Sequence, residues 1–249
     1  MMEQTEPAPA LASLTDRDRS IILGLAATVL CPGVLIRRMF FRAVAYERYR
    51  GRITRLAQLG LVQRGFVDPR GFSVAQGGQI LLLTDAGWRL AADLGAGVPP
   101  KAVRRQALAL PAAVAAAAEA YAVAMLSGAL HGGAQWTLQP PVGNGIRPPS
   151  AWAVLSLGDR RLALDLDLPG RSYAQVLTRL GMWVPFILER KDVPGAHTSL
   201  CYVVHESSRR QRLQAMLAQQ AADWSWVTFA HPAVAAEGLL DGAPLDTSH

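Results

Sequence analysis

YERYRGRITRLAQLGLV, from Tyr46 to Val62, suits one regular conformation better than any other. Tyr49, Ile53, Leu56 and Leu59 recur at three- and four-residue spacing, which puts them on one stripe of an α-helix. Arg48, Arg52 and Arg55 fall at i, i+4 and i+7 and share another face. The spacing predicts a helix over 46–62 with a buried side and a wet side. Charge on the wet side is of one sign: between Arg37 and Arg64 there are eight arginines and one acid, Glu47. A guanidinium row on a half-buried helix suits a DNA major groove, lined by phosphates and by guanine acceptor edges. The plainer alternative is a solvated helix face, the usual fate of charged residues. The scarcity of compensating acids argues against it.

The neighbouring sequence gives that helix a context. Thr15 opens an earlier helix with Asp18 three residues on, a capping-box-like start, and Ile21, Ile22, Leu25 and Val29 form its apolar stripe. Pro32-Gly33 ends it, and a short helix over 34–41 follows. After Gly60, two runs rich in Val, Phe, Ile and Leu flank Asp68-Pro69, Gly71 and Gly77-Gly78, which reads as a β-hairpin. Thr84-Asp85 then caps a helix to Leu94. Three helices, a hairpin and a closing helix in that order are the layout of a winged helix-turn-helix. The duplex-binding residues expected of it are Arg37, Arg38, Arg48, Arg52, Arg55, Arg64 and Arg70, with Arg64 and Arg70 on the wing against the phosphate backbone.

The chain has 249 residues, 51% of them hydrophobic and 18% charged, which is ample for packed cores. Residues 1–13 form a Pro/Ala-rich tail expected to be disordered, 14–95 the winged helix-turn-helix, and 96–249 a second domain beyond the GAGVPP boundary at Gly95–Pro100. Net charge is +6, and its excess concentrates in the arginine-rich segment, pointing to a polyanion met at one place. Cys31 and Cys201 are far apart with no CxxC, which argues against zinc or a disulfide framework and suits a reducing cytoplasm. Ala107–Leu130 is apolar, but it contains Pro111 and Glu119, and a mid-span acid costs about 2.5–3.5 kcal/mol on insertion. A buried Ala-rich helix opening the second domain is expected there, with no membrane partner. Because alanines allow close approach, the same helix is the candidate element of a homodimer.

Beyond it, Ala151–Leu157 and Arg161–Leu168 are strands joined by Gly158-Asp159, Ser172–Trp183 a helix, Ser199–His205 a strand, Ser208–Ala222 a helix and Trp226–Phe229 a last strand. The fold class is therefore α/β (α+β overall). His131, His197, His205, His231 and His249 have no metal-site spacing, and no GxSxG, GxxxxGK[ST] or GxGxxG stands in usable context.

Six segments carry a family resemblance: LTDRDRSIILGL, ITRLAQLGLVQR, LLLTDAGWRLA, RPPSAWAVL, RLALDLDLPGRSYAQVLTRLGMW and LCYVVHESSRRQRLQAML. Over 14–245 the chain resembles the replication-relaxation proteins of plasmids and mobile elements. These are cytoplasmic proteins that join a winged helix to a domain resembling the PD-(D/E)xK nuclease, or restriction-endonuclease-like, fold. The resemblance implies duplex DNA as partner, dimers, and a setting in DNA replication or transfer.

The family's nuclease-like chemistry uses an acid after a proline, two acids on the next strand and a lysine, which hold Mg²⁺ and activate water. Here Ser150 stands where the first acid would be, Asp165 and Asp167 match the acid-x-acid pair, and Arg179 replaces the lysine. Arginine keeps the charge but does not readily give up a proton. A degenerate site is expected, needing no cofactor unless Asp165 and Asp167 still bind Mg²⁺. Otherwise the two acids are strand neighbours on one face, paired with Arg161 or Arg179. Three rival functions remain: a winged-helix transcription regulator, a metal-dependent endonuclease, and a module whose basic helix binds an acidic protein.

Overall fold

A computed structural model describes residues 14–66, 79–138, 151–168, 170–188, 197–204, 206–220 and 224–241. The expected tail, Arg70 with the hairpin tip, and Ser150 lie outside the described residues. Among the described residues the protein mixes helices with two β-sheets and is α/β overall.

Helix α1 (Asp16–Thr28) starts on the capping box anticipated from its sequence. The Asp18 amide donates to Thr15 Oγ1, and the Asp18 carboxylate accepts from the Thr15 amide and hydroxyl, each at 2.9 Å. Strand β1 (Leu30–Pro32) leads into α2 (Gly33–Phe40), α3 (Tyr46–Gln58), β2 (Val62–Phe66), β3 (Gln79–Leu83) and α4 (Asp85–Asp93). The strands form an antiparallel sheet in the order β1-β3-β2. β1 was not anticipated: the sequence shows only a Pro-Gly break there, and the three residues extend because β3 supplies their ladder partners.

Helix α3 stops at Gln58 rather than Val62, because Gly60 adopts φ +67°. Its amide donates to Ala57 O and that of Leu61 to Leu56 O, the Schellman closure that glycine permits. Gly87 on α4 is required for a different reason. A Cβ there would sit 2.1 Å from the carbonyl oxygen of Leu61, so α4 can approach the start of β2 only without a side chain.

The Ala-rich stretch is two helices, α5 (Lys101–Ala109) and α6 (Pro111–Leu126), bent by 108°. Pro111 lacks the amide that would continue α5 and occupies the first turn of α6, where none is needed. No single helix among the described residues is long and apolar enough to cross a membrane.

The larger sheet runs β4 (Gln135–Leu138), β5 (Ala153–Leu157), β6 (Arg160–Leu166), β7 (His197–Val203) and β8 (Val227–Thr228), hydrogen-bonded in that order. Its first three strands are antiparallel, and β6, β7 and β8 are parallel. Connecting them are α7 (Tyr173–Gly181), α8 (Val184–Leu188) and α9 (Ser207–Ala218), with α10 (Pro232–Asp241) last; α8 and α10 had no counterpart in the sequence reading.

Alternation along β6 divides the layers. Leu162, Leu164 and Leu166 join the apolar cluster that includes α6 and α10, while Ala163 joins Val176, Leu180 and Trp183 on the opposite face. No residue of α6 is exposed, because α1, α2, β1, α10 and the large sheet cover it. The dimer role expected of this helix is therefore corrected: its small side chains serve close packing within the chain. The same cluster runs without a break from Leu14 through α6 to Leu239. The indole N–H of Trp136 on β4 also donates to Ala27 O on α1, 2.8 Å away.

Candidate nucleic-acid interface

Tyr49, Ile53 and Leu56 are buried as the spacing requires, and they fix which sides of α3 face out. Arg48, Arg50 and Arg55 on this helix are exposed, as are Arg37 and Arg38 on α2, Arg42 after it and Arg64 on β2. Glu47 is the one acid on these three elements.

Arg52, also among the residues expected at a duplex, is only partly exposed and faces α1. Its Nε lies 3.1 Å from Oδ1 of Asp18, whose side chain is fully buried, and its Nη2 donates to Thr15 Oγ1 at 3.2 Å. The middle arginine of the 48/52/55 row is thus the ion partner of the α1 capping box. The physical reason is burial, since an enclosed carboxylate needs a counter-charge.

Two contacts join α3 to its neighbours along its other flank. The Arg37 guanidinium lies over the Tyr46 ring, 5.3 Å from its centroid, and Arg64 Nη2 donates to Thr54 Oγ1 at 2.6 Å. Tyr46 remains 50% exposed, although its ring leans on buried Tyr49 (5.8 Å between centroids), which in turn packs edge-on against Phe41. Neither Tyr46 nor Arg50 is among the duplex-binding residues expected from the sequence. Helical projection could have found both, because they lie across the buried stripe from Arg48 and Arg55.

In the large sheet, Asp165 and Asp167 share a face of the β6 segment, as alternate residues must. Each is held by arginine. Arg179 from α7 grips Asp165 with both nitrogens, Nε–Oδ2 at 2.6 Å and Nη2–Oδ1 at 2.7 Å, and the Trp183 indole N–H adds a bond of 3.2 Å. Asp167 is gripped by Arg209 from α9, through Nε to Oδ2 and through Nη2 to Oδ1 at 3.1 Å. The Tyr202 hydroxyl donates to Asp167 Oδ1 and accepts from Arg171, both at 3.0 Å.

Arg209 Nη2 also reaches Arg171 O at 2.7 Å, and its guanidinium lies over the Tyr173 ring. Asp167, paired and partly buried, thus draws Arg209 inward from the start of α9. Arg212 is exposed.

A divalent ion of the Mg²⁺ class needs free carboxylate oxygens in octahedral array at about 2.0–2.1 Å. All four oxygens of Asp165 and Asp167 already accept from guanidinium, and each bidentate grip matches donor to acceptor. The residues present therefore do not fit the ion. No group of three or more His, Cys, Asp or Glu side chains able to hold a metal occurs among the described residues. Cys31 and Cys201 are free thiols, fully buried, with desolvation raising both pKa values, that of Cys201 to about 12. Comparison with family models, with curated proteins and with solved structures finds no match to the chain.

Proposed function

We propose that this protein binds double-stranded DNA through α2, α3 and β2, acting as a winged helix-turn-helix. The observation that carries this reading is the exposed, acid-poor arginine surface: Arg37, Arg38, Arg50 and Arg64 on contiguous elements, against Glu47. The element order α1-β1-α2-α3-β2-β3 and the sheet order β1-β3-β2 support it. A cationic surface of this kind gains affinity by releasing counterions from phosphate, with no need for an acidic protein partner.

The large-sheet unit is read as a retired nuclease-like fold that scaffolds the DNA-binding elements. Its order of acid-bearing β6, α7, β7 and α9 supports the lineage, and the arginine grips on Asp165 and Asp167 speak against cleavage. Cytoplasmic work in plasmid or mobile-element replication is the setting that goes with the family resemblance.

The test is a titration of salt against binding of a random-sequence duplex by the full chain. Each phosphate neutralised should add about −0.9 to the slope of log K against log salt, so four to six contacts give a slope of roughly −4 to −5. No measurable affinity at low salt would remove the reading. Mg²⁺-dependent cleavage abolished by Asp165→Ala would replace it with an endonuclease.

A further inference from the structure

We infer that duplex DNA lies along the flank of α3 that carries Tyr46, Arg50 and Thr54, continuous with Arg37 of α2 and Arg64 of β2, and not along the Arg48/Arg52/Arg55 row. The inference rests on the duplex-binding reading and deepens it, by stating which of two cationic faces meets the partner.

At about 100° per residue, Arg48 and Arg55 project to one side of the Tyr49/Ile53/Leu56 stripe, with Arg50 and Thr54 on the other. The contacts identify what each side adjoins. On the first, Arg52 is held by Asp18 and Thr15, so this flank borders the N-terminus of α1, where Asp16 is paired with Arg19 at 3.4 Å and Asp18 with Arg52. A phosphate approaching there meets Arg48 and Arg55 with the guanidinium between them already neutralised by Asp18.

The second flank carries cations from three elements, with one acid, Glu47, three residues before Arg50 on the same side of the helix. Thr54 accepts from Arg64, which ties the helix to β2, and Tyr46 supports the Arg37 guanidinium, which ties it to α2. Arg50 stands exposed between these two links, four residues from each of Tyr46 and Thr54 and thus on the same helix face. The ring of Tyr46 is half-exposed yet leans on buried Tyr49. A propped aromatic beside three guanidiniums has the chemistry for a sugar-phosphate backbone: the hydroxyl bonds a phosphate oxygen, and the arginines neutralise charge along the strand.

The test measures the salt dependence of duplex binding for single variants in the full chain, with polyglutamate as a competing polyanion. Arg50→Ala and Arg64→Ala should each flatten the log–log slope by about 0.9 per lost phosphate contact. Tyr46→Ala should weaken binding about fivefold, the worth of one hydrogen bond, with the slope unchanged. Arg48→Ala and Arg55→Ala should leave the slope within measurement of wild type. A matching thermal melt controls for folding, and Arg→Gln replaces Arg→Ala wherever the melt drops.

If the wild-type chain binds duplex but the slope falls with Arg48 and Arg55 instead, the flank assignment is overturned while the function stands. If polyglutamate competes as well as DNA at equal charge, the partner is an acidic protein and the assignment to DNA is overturned. A wild-type chain that binds no duplex removes both.

Discussion

Arg52 and Thr15 are 37 positions apart in the chain, and their contact changes what Arg52 is for. By spacing alone it belongs with Arg48 and Arg55. By position it is the counter-charge of Asp18, whose carboxylate also completes the α1 cap. Arg52→Ala should therefore lower stability by about 2–3 kcal/mol, less than for a fully enclosed pair because Arg52 keeps a quarter of its side-chain exposure. Urea denaturation checks this, and an unchanged midpoint would return Arg52 to the groove. Arg52→Lys should recover only part of the loss, since an ammonium does not reproduce the fork that spans Asp18 and Thr15. The capping box itself was legible, since Thr15 and Asp18 lie three residues apart and answer to local rules. Its arginine partner was not, because nothing local specifies a contact at such separation. Asp165 and Asp167 repeat the lesson: the sequence offered Arg161 or Arg179 as partners for the two acids, and Asp165 takes Arg179, while Arg209 on Asp167 required a contact from distant α9.

The elements were read most faithfully where pattern and end signals agreed. α1, α4 and α7 carry side-chain caps at the residues that announce them. Ends set by a single backbone requirement were missed, such as the positive φ at Gly60 that closes α3 and the missing amide of Pro111 that divides the Ala-rich stretch. α6 is apolar around its whole circumference, so its sequence could not say what covers it. The structure answers with α10, the large sheet and the small one. One acid interrupts this helix. Burial raises the pKa of Glu119 above its ordinary 4.5, against the lowering effects of His231, 3.9 Å away, and of Arg38. A raised folded-state value means the folded chain holds this proton more tightly than the unfolded chain. Stability from this group is thus fully present below about pH 4.5 and is lost as pH rises through the higher folded value. Glu119→Gln should accordingly melt higher than wild type above that window and equally below it. Melting curves from pH 4 to pH 8 would check this, and parallel curves for the two proteins would refute it.

At the scale of the molecule, the apolar cluster that begins at Leu14 and ends at Leu239 ties the two sheets together through α6. Heat should therefore unfold the chain in one calorimetric transition, with calorimetric and van't Hoff enthalpies equal. Two resolved peaks would mean that the halves on either side of Gly95–Pro100 stand alone. The mixture of helices and strands, the amphipathic character of α3 and the one-sided charge near it were determined by the sequence, because periodicity and composition act over a few neighbouring residues. Tertiary structure alone decided which guanidiniums stay exposed and which are consumed by carboxylates. Burial makes an unpaired charge expensive, and which charges become buried depends on how distant elements pack.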